Sequence, residues 1–407
     1  RFEIDRDGLV EATRRLVRLR SDEGHERACQ EMVAEELRSA GLDVDVWEID
    51  LKEVQAHPDA AWEIDRDSAL GVVGSLEGSG EGPTLLLNGH VDVVPAGDPE
   101  SWTHPPYEGV VENGRIYGRG ALDMKGPLMA GLFAIRAVAQ ADVRLRGSVR
   151  LMSVVGEEDG GLGTLATLLR GYRGDGAIVM EPTGMLIAPV QAGCVNFRIR
   201  VRGLAAHGAT RDEGVSAFEK LFDVYAAVME LEGERNRDLS DDPLFARYPT
   251  PFPISIGTMQ GGDWASSVPD HARMEGRLGV RPDESLDDAR RALERAVLAA
   301  AEADPFLRDH PPEVEWWGGR FLPARMAPDH PLPEVLSSAI VRVAGSEPRR
   351  EAVPFGADAG LIQHVGETPA LLFGAGDIRR AHGPDEYVDI DNVVIDPYGT
   401  YDRDVSY

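Results

Sequence analysis

Histidines and carboxylates recur in this sequence at the ends of short apolar runs, and mixed nitrogen and oxygen donors are what divalent cations bind. Leu85-Leu86-Leu87 leads directly into Asn88-Gly89-His90-Val91-Asp92. That places His90 and Asp92 just past the carboxyl end of a strand, where open α/β sheets bind ligands. Two residues apart on extended chain, the two side chains share a face. Asp92 can then accept the free ring N–H of His90 and fix its tautomer. Alone, a His-x-Asp pair is more often structural.

Further acids follow in the same kind of position. Gly118-Arg119-Gly120-Ala121-Leu122-Asp123-Met124-Lys125-Gly126 is a glycine-rich turn that delivers one carboxylate to the start of a helix. It fails as a dinucleotide fingerprint, because Asp123 stands where the third glycine belongs. A carboxylate there repels pyrophosphate and suits a cation, unless it only caps the helix. After Leu151 to Val155 comes Gly156-Glu157-Glu158-Asp159-Gly160-Gly161, three acids crowded together at the end of a buried run. Like charges that close are costly unless a cation sits among them or one takes a proton. Ala177 to Met180 ends in Glu181-Pro182-Thr183, and Leu371-Leu372-Phe373-Gly374 leads to Ala381-His382-Gly383-Pro384-Asp385-Glu386. Together these acids and histidines can converge on one sheet edge.

The elements that must position them divide into two textures. Leu9, Ala12, Leu16 and Leu19, then Ala28, Met32, Val33 and Leu37, recur at helical spacing, so two amphipathic helices open the chain. The nearly continuous apolar runs that follow, with an Ala- and Leu-rich helical stretch at Leu128 to Ala139, read as strands buried on both faces. From Cys194 onwards, Val195, Phe197, Ile199 and Val201 alternate with Asn196, Arg198, Arg200 and Arg202. This predicts a half-exposed antiparallel sheet with helices at Ser216 to Leu231 and Leu286 to Ala303, closed by a strand at Glu313 to Trp317. Buried-strand texture returns at Ala370 to Phe373. The expected fold class is α/β: a mixed, largely parallel sheet flanked by helices, with an inserted α+β domain. The larger domain covers 1–190 and 321–407, the insert 191–320.

Composition narrows the function classes. The net charge of −28 repels nucleic acid and anionic lipid. Lysine occurs only at Lys52, Lys125 and Lys220. No apolar run is long enough for a membrane span. Cys29 and Cys194 lie in apolar segments and read as core residues, not as a disulfide framework. The charged start, Arg1 to Leu9, lacks the apolar stretch of a leader, and the expected location is cytoplasmic.

Taken together, the Gly-His-x-Asp, Gly-x-Gly-x-x-Asp-Met-Lys-Gly, Glu-Glu, Glu-Pro and Ala-His-Gly-Pro-Asp-Glu blocks resemble the M20 metallopeptidase and aminoacylase family. That group includes acetylornithine deacetylase, succinyl-diaminopimelate desuccinylase and carboxypeptidase G2. The resemblance covers nearly the whole chain. It implies a zinc-exopeptidase-like catalytic domain holding two divalent ions, zinc first, with cobalt or manganese as substitutes. Asp123 would bridge them, with His90 and Glu181 completing one site and Glu158 and His382 the other. Glu157 would be the general base.

It also implies that the insert is a lid and dimerisation domain. Gly203-Leu204-Ala205-Ala206-His207-Gly208 is similar to the motif whose histidine reaches the partner subunit's active site and stabilises the oxyanion. Trp264-Ala265-Ser266-Ser267-Val268-Pro269 carries Ser266 where many relatives have a substrate-holding Asn. Arg277 and Arg281 are candidates for a substrate carboxylate, or plain surface-strand charges, and Gly356 joins the substrate contacts. The implied activity is cleavage of an amide bond in a small N-acylated amino acid or amine. A dipeptidase or carboxypeptidase is the alternative, and an inactive metal-dependent binding protein the remote one.

Overall fold

The computed structural model describes residues 4–141, 143–237 and 242–394. Residues 1–3 of the segment read as leaderless, and residues 395–407 of the larger expected domain, lie outside them. The chain separates into two compact units. One comprises 1–191, 324–352 and 357–407; the other comprises 192–323 and 353–356.

The larger unit opens with α1 (Arg6–Arg18) and α2 (Arg27–Ser39). Asp5 caps the first, accepting from the Gly8 N–H at 2.9 Å. Its sheet contains β1 (Asp43–Glu48), β2 (Leu70–Leu76), β3 (Thr84–His90), β4 (Ser148–Val154) and β5 (Gly176–Val179). Between β3 and β4 runs α3 (Gly126–Gln140), and between β4 and β5 runs α4 (Leu162–Leu169). Both helices bury residues all round, as elements enclosed within an α/β layer must.

The smaller unit is a four-stranded antiparallel sheet of β6 (Gly193–Arg202), β7 (Ile254–Gly261), β8 (His271–Val280) and β9 (Glu313–Phe321), in the order β7-β8-β6-β9. Two helices, α5 (Ala217–Asn236) and α6 (Leu286–Ala303), supply Leu221, Val224, Leu293 and Val297 to the core formed with Phe197, Ile199 and Met274. On the opposite face, Arg198 pairs with Glu275 at 2.6 Å, Arg200 with Glu315 at 2.6 Å and Arg202 with Glu313 at 2.9 Å. The polar half of the alternation is therefore neutralised strand to strand.

The chain returns to the larger unit through α7 (Leu332–Ala344) and β10 (Ala370–Leu372), which completes a six-stranded sheet ordered β1-β2-β4-β3-β5-β10. Strands β4, β3, β5 and β10 are mutually parallel, whereas β1 and β2 pair antiparallel at one side. Leu87 faces Leu151 on one side and Ile178 on the other. This register brings the carboxyl ends of four strands to one edge. From β3 the chain crosses first to β4 on one side and later to β5 on the other, the reversal of strand order at which such sheets open a crevice.

Candidate metal centre

Each parallel strand ends in a segment that carries one of the acids or histidines. His90 is the last residue of β3, Glu157 and Glu158 follow β4, Glu181 follows β5, and His382 lies on the strap beyond β10. Asp123 reaches the same edge from the glycine-rich turn before α3. That turn requires Gly120, whose φ is +81° and whose added Cβ would lie 2.5 Å from Val93 Cγ1. Asp123 is no helix cap, since α3 begins without a side-chain cap. The peptide bond between Asp123 and Met124 is cis.

Two donor groups form, sharing one residue. Ligand atoms of His90, Asp123 and Glu181 lie within 4.8 Å of one another, and so do those of Asp123, Glu158 and His382. Asp123 divides its oxygens: Oδ1 is 3.3 Å from Nε2 of His90, and Oδ2 is 3.5 Å from Nε2 of His382. Nε2 of His382 is also 3.2 Å from Glu158. Glu157 Oε2 stands 4.0 Å from His90 Nε2 and belongs to neither group. His90 is buried, whereas the His382 side chain is 53% exposed. On the smaller unit the ligand atoms of an exposed trio, Asp263, Asp270 and His271, also lie within 4.8 Å of one another but lack that burial.

Charge in this pocket is unbalanced without a cation. Burial pushes Glu157 and Glu181 well above the ordinary carboxylate range, and neighbouring acids push further against the opposing pull of His90. Glu158 is raised for the same reasons, burial first and Asp123 second. Burial also opposes charge on Asp123, yet hydrogen bonds from His382 and His90 hold it well below that range. His382 is raised to about 11 by its contacts with Asp123 and Glu158. Burial works against charge on His90, but Asp92, Asp123 and Glu181 drive its imidazole well above the usual value. Glu181 Oε1 is buried with no hydrogen-bond partner, an arrangement that a positive ion in the pocket resolves. Imidazole nitrogens with carboxylate oxygens are a donor set that suits zinc, cobalt or manganese.

Several sequence expectations change in detail. The acceptor of the His90 ring N–H is the main-chain carbonyl of Asp92, 2.9 Å from Nδ1, and not its carboxylate, whose Oδ1 is at 3.7 Å. The Asp92 carboxylate instead accepts the Glu158 N–H at 2.9 Å. Asp159 leaves the crowd of acids for Arg66, which pairs with it at 2.9 Å and with Glu26 at 2.8 Å, all three buried. Arg281 donates to the Arg235 carbonyl, and its own N–H donates to Glu284, so its charge serves the smaller unit. Arg277 lies half-buried on β8, opposite Asn196 on β6. Gly356 belongs to the smaller unit, where an added Cβ would come 2.3 Å from Phe321 Cβ. Close packing accounts for glycine there.

His207 and Ser266 are neighbours in the smaller unit, the Gly208 N–H donating to the Ser266 carbonyl at 2.7 Å. Nδ1 of His207 accepts the Ala209 N–H at 3.1 Å, which assigns the ring proton to Nε2 and leaves it as a donor on an exposed side chain. One buried acid beside the pocket went unread in the sequence. Asp358 accepts from Thr164 Oγ1 at 2.5 Å, and Thr164 in turn accepts from Asn88 on β3 at 2.9 Å. Burial pushes Asp358 up to about 6. Its signal was an acid among small apolar residues in Gly356-Ala357-Asp358-Ala359-Gly360.

Known proteins match this chain over most of its length. The model of peptidase family M20/M25/M40 matches residues 86–396. An N-formyl-4-amino-5-aminomethyl-2-methylpyrimidine deformylase of Bacillus subtilis is 31% identical over 347 residues, 79% of each chain. The acetylornithine deacetylase of Pasteurella multocida is 30% identical over 329 residues, 79% of this chain and 78% of its own. Among solved structures, an M20 family metallo-carboxypeptidase from Sulfolobus solfataricus superposes with a TM-score of 0.74, at 17% identity over 95% of this chain and 96% of that one. At that identity the likeness is one of fold. No helix among the described residues is long and apolar enough to cross a membrane.

Proposed function

The chain belongs to peptidase family M20/M25/M40 and is a metal-dependent amidohydrolase, and from that premise we propose that it removes a small acyl group, formyl, acetyl or succinyl, from an amine or amino acid. The observation that carries this reading is the division of Asp123 between His90 and His382, with Glu157 left over. Two ions, zinc in the first instance, fit the paired donor groups. Bound there, they lower the pKa of water and polarise the scissile carbonyl.

The remaining steps belong to the chain. The Asp92 carbonyl holds the Nδ1 proton of His90, which turns the Nε2 lone pair into the pocket. Glu157 accepts a proton from the attacking water and delivers it to the departing amine nitrogen as the C–N bond breaks. His207 would offer its Nε2 proton to the carbonyl oxygen as negative charge develops there. Arg277 and Ser266 are the remaining candidates for holding substrate, and Arg277 suits a substrate carboxylate.

His207 is proposed to act in a second copy of the chain, paired through the smaller unit. In support, β7 is an edge strand whose Met259 is 41% exposed, and Phe222 on α5 is 57% exposed. The two relatives described above are named as a deformylase and a deacetylase, which favours deacylation over peptide hydrolysis. Incubation of the zinc-loaded protein with N-formyl, N-acetyl and N-succinyl amines, and with unblocked dipeptides, tests the choice. Amine release from the acylated set is expected, and turnover of dipeptides alone would refute the proposal.

A further inference from the structure

Behind the metal pocket lies a buried ion pair that no step above uses. Arg119 is 2% exposed and Glu386 1%. The Arg119 guanidinium donates through Nη1 to Glu386 Oε2. Its Nη2 donates to the main-chain oxygens of His382, at 3.2 Å, and Pro95, at 3.4 Å. The other carboxylate oxygen of Glu386 accepts the N–H groups of Leu122 at 3.1 Å and Asp123 at 3.2 Å. One pair thus grips the backbone of Asp123 through its acid and the backbone of His382 through its base.

The strap that carries His382 needs such a hold. His382 and Asp385 both adopt left-handed backbone conformations, with φ of 63° and 54°, which non-glycine residues enter at a cost and keep only where neighbours enforce them. Asp385 anchors the far end by accepting the N–H groups of Thr103 and His104 at 2.8 and 3.1 Å. His382 is also the exposed member of its donor group, whereas His90 is fixed by strand β3 and the Asp92 carbonyl. Position at the first group is therefore built into the sheet, and position at the second depends on the strap.

We infer that Arg119 and Glu386 are positioning residues that lock the His382 strap to the Asp123 turn, and that they set affinity for the ion held by Asp123, Glu158 and His382 while leaving the His90, Asp123 and Glu181 site nearly untouched. The inference rests on the two-ion reading given above. A general structural role predicts something different, equal weakening of both sites.

Calorimetric titration of chelator-stripped protein with Zn2+, with elemental analysis of metal per chain, separates these outcomes. The arms are wild type, His382→Ala, Arg119→Lys and the double variant Arg119→Met with Glu386→Gln. Lysine keeps the charge opposite Glu386 but cannot also span to the His382 carbonyl. The double variant removes both charges together, which keeps the comparison valid where Arg119→Lys unfolds, and circular dichroism of each metal-free protein reports the fold. Wild type is expected to bind two ions. Arg119→Lys and the double variant should retain the site that survives in His382→Ala at wild-type affinity, and weaken the other at least about tenfold, the usual scale for residues supporting a ligand. Unchanged binding of both ions, or equal weakening of both in a folded variant, overturns the inference. Wild-type protein that binds fewer than two ions overturns the two-ion reading itself, and the inference with it.

Discussion

Asp123 sends one carboxylate oxygen to His90, at 3.3 Å, and the other to His382, at 3.5 Å, although these histidines come from opposite ends of the sequence. The carboxylate thereby joins the end of strand β3 to the strap beyond β10. Glu157 and Glu158, adjacent in sequence, are separated by this arrangement into different surroundings: Glu158 meets His382, whereas Glu157 lies near His90.

That separation predicts opposite outcomes for the two acids. Glu157→Gln should keep its metal and lose at least about a hundredfold in kcat, the scale of general acid–base catalysis. Glu158→Ala should chiefly lose metal. Elemental analysis beside steady-state kinetics checks both, and near-wild-type turnover by Glu157→Gln would remove that residue from the mechanism.

Metal binding should strengthen as pH rises. In the absence of a cation the surrounding acids raise His90 well above its ordinary value and His382 to about 11, and burial raises Glu157 and Glu181 as well. A bound ion requires neutral imidazoles and ionised carboxylates, so binding releases protons, and each proton released adds about a tenfold gain in affinity per pH unit. Titration calorimetry in buffers of different ionisation enthalpy between pH 6 and 8 measures the release. Binding that is independent of both pH and buffer would contradict the assignment of these histidines as ligands.

Action of His207 across a subunit interface predicts complementation. His207→Ala and Glu157→Ala chains, each inactive alone, should regain part of the activity when mixed, through hybrid dimers that contain one intact site. Absence of recovery despite demonstrated subunit exchange would place His207 elsewhere in the mechanism.

Arg66 predicts a cost in stability. Its guanidinium, 1% exposed, is the buried partner of both Glu26 and Asp159, and Asp159 also accepts the Glu63 and Ile64 N–H groups at 3.1 and 2.9 Å. Arg66→Ala leaves two buried acids without their cation and should destabilise the protein by about 3–5 kcal/mol. Urea unfolding measures this, and a change below about 1 kcal/mol would mean that the pocket admits water freely.

The gathering of these acids and histidines into one candidate site was legible because they lie at strand ends, where an apolar run breaks. The parallel strands were legible for the same reason. The antiparallel pair β1 and β2 was not, since Asp43–Glu48 carries acids on a partly exposed edge and Leu70–Leu76 is interrupted by glycine. Partnerships across long sequence separations were also hidden. Nothing local links Arg66 to Asp159, Asp358 to Thr164 or Arg119 to Glu386, although Arg119 and Glu386 both stand inside motifs read for other residues. Arg281 shows the same limit from the other side: its guanidinium donates to the Arg235 carbonyl and its main-chain N–H to Glu284, contacts that its place in the sequence did not announce.

Anomalous diffraction at the zinc edge from crystals of the zinc-loaded protein tests whether Asp123 joins two ions. Two peaks are expected, one bounded by His90, Asp123 and Glu181 and the other by Asp123, Glu158 and His382, with an Asp123 oxygen on each. A single peak in this pocket, or two peaks that do not share Asp123, would contradict it.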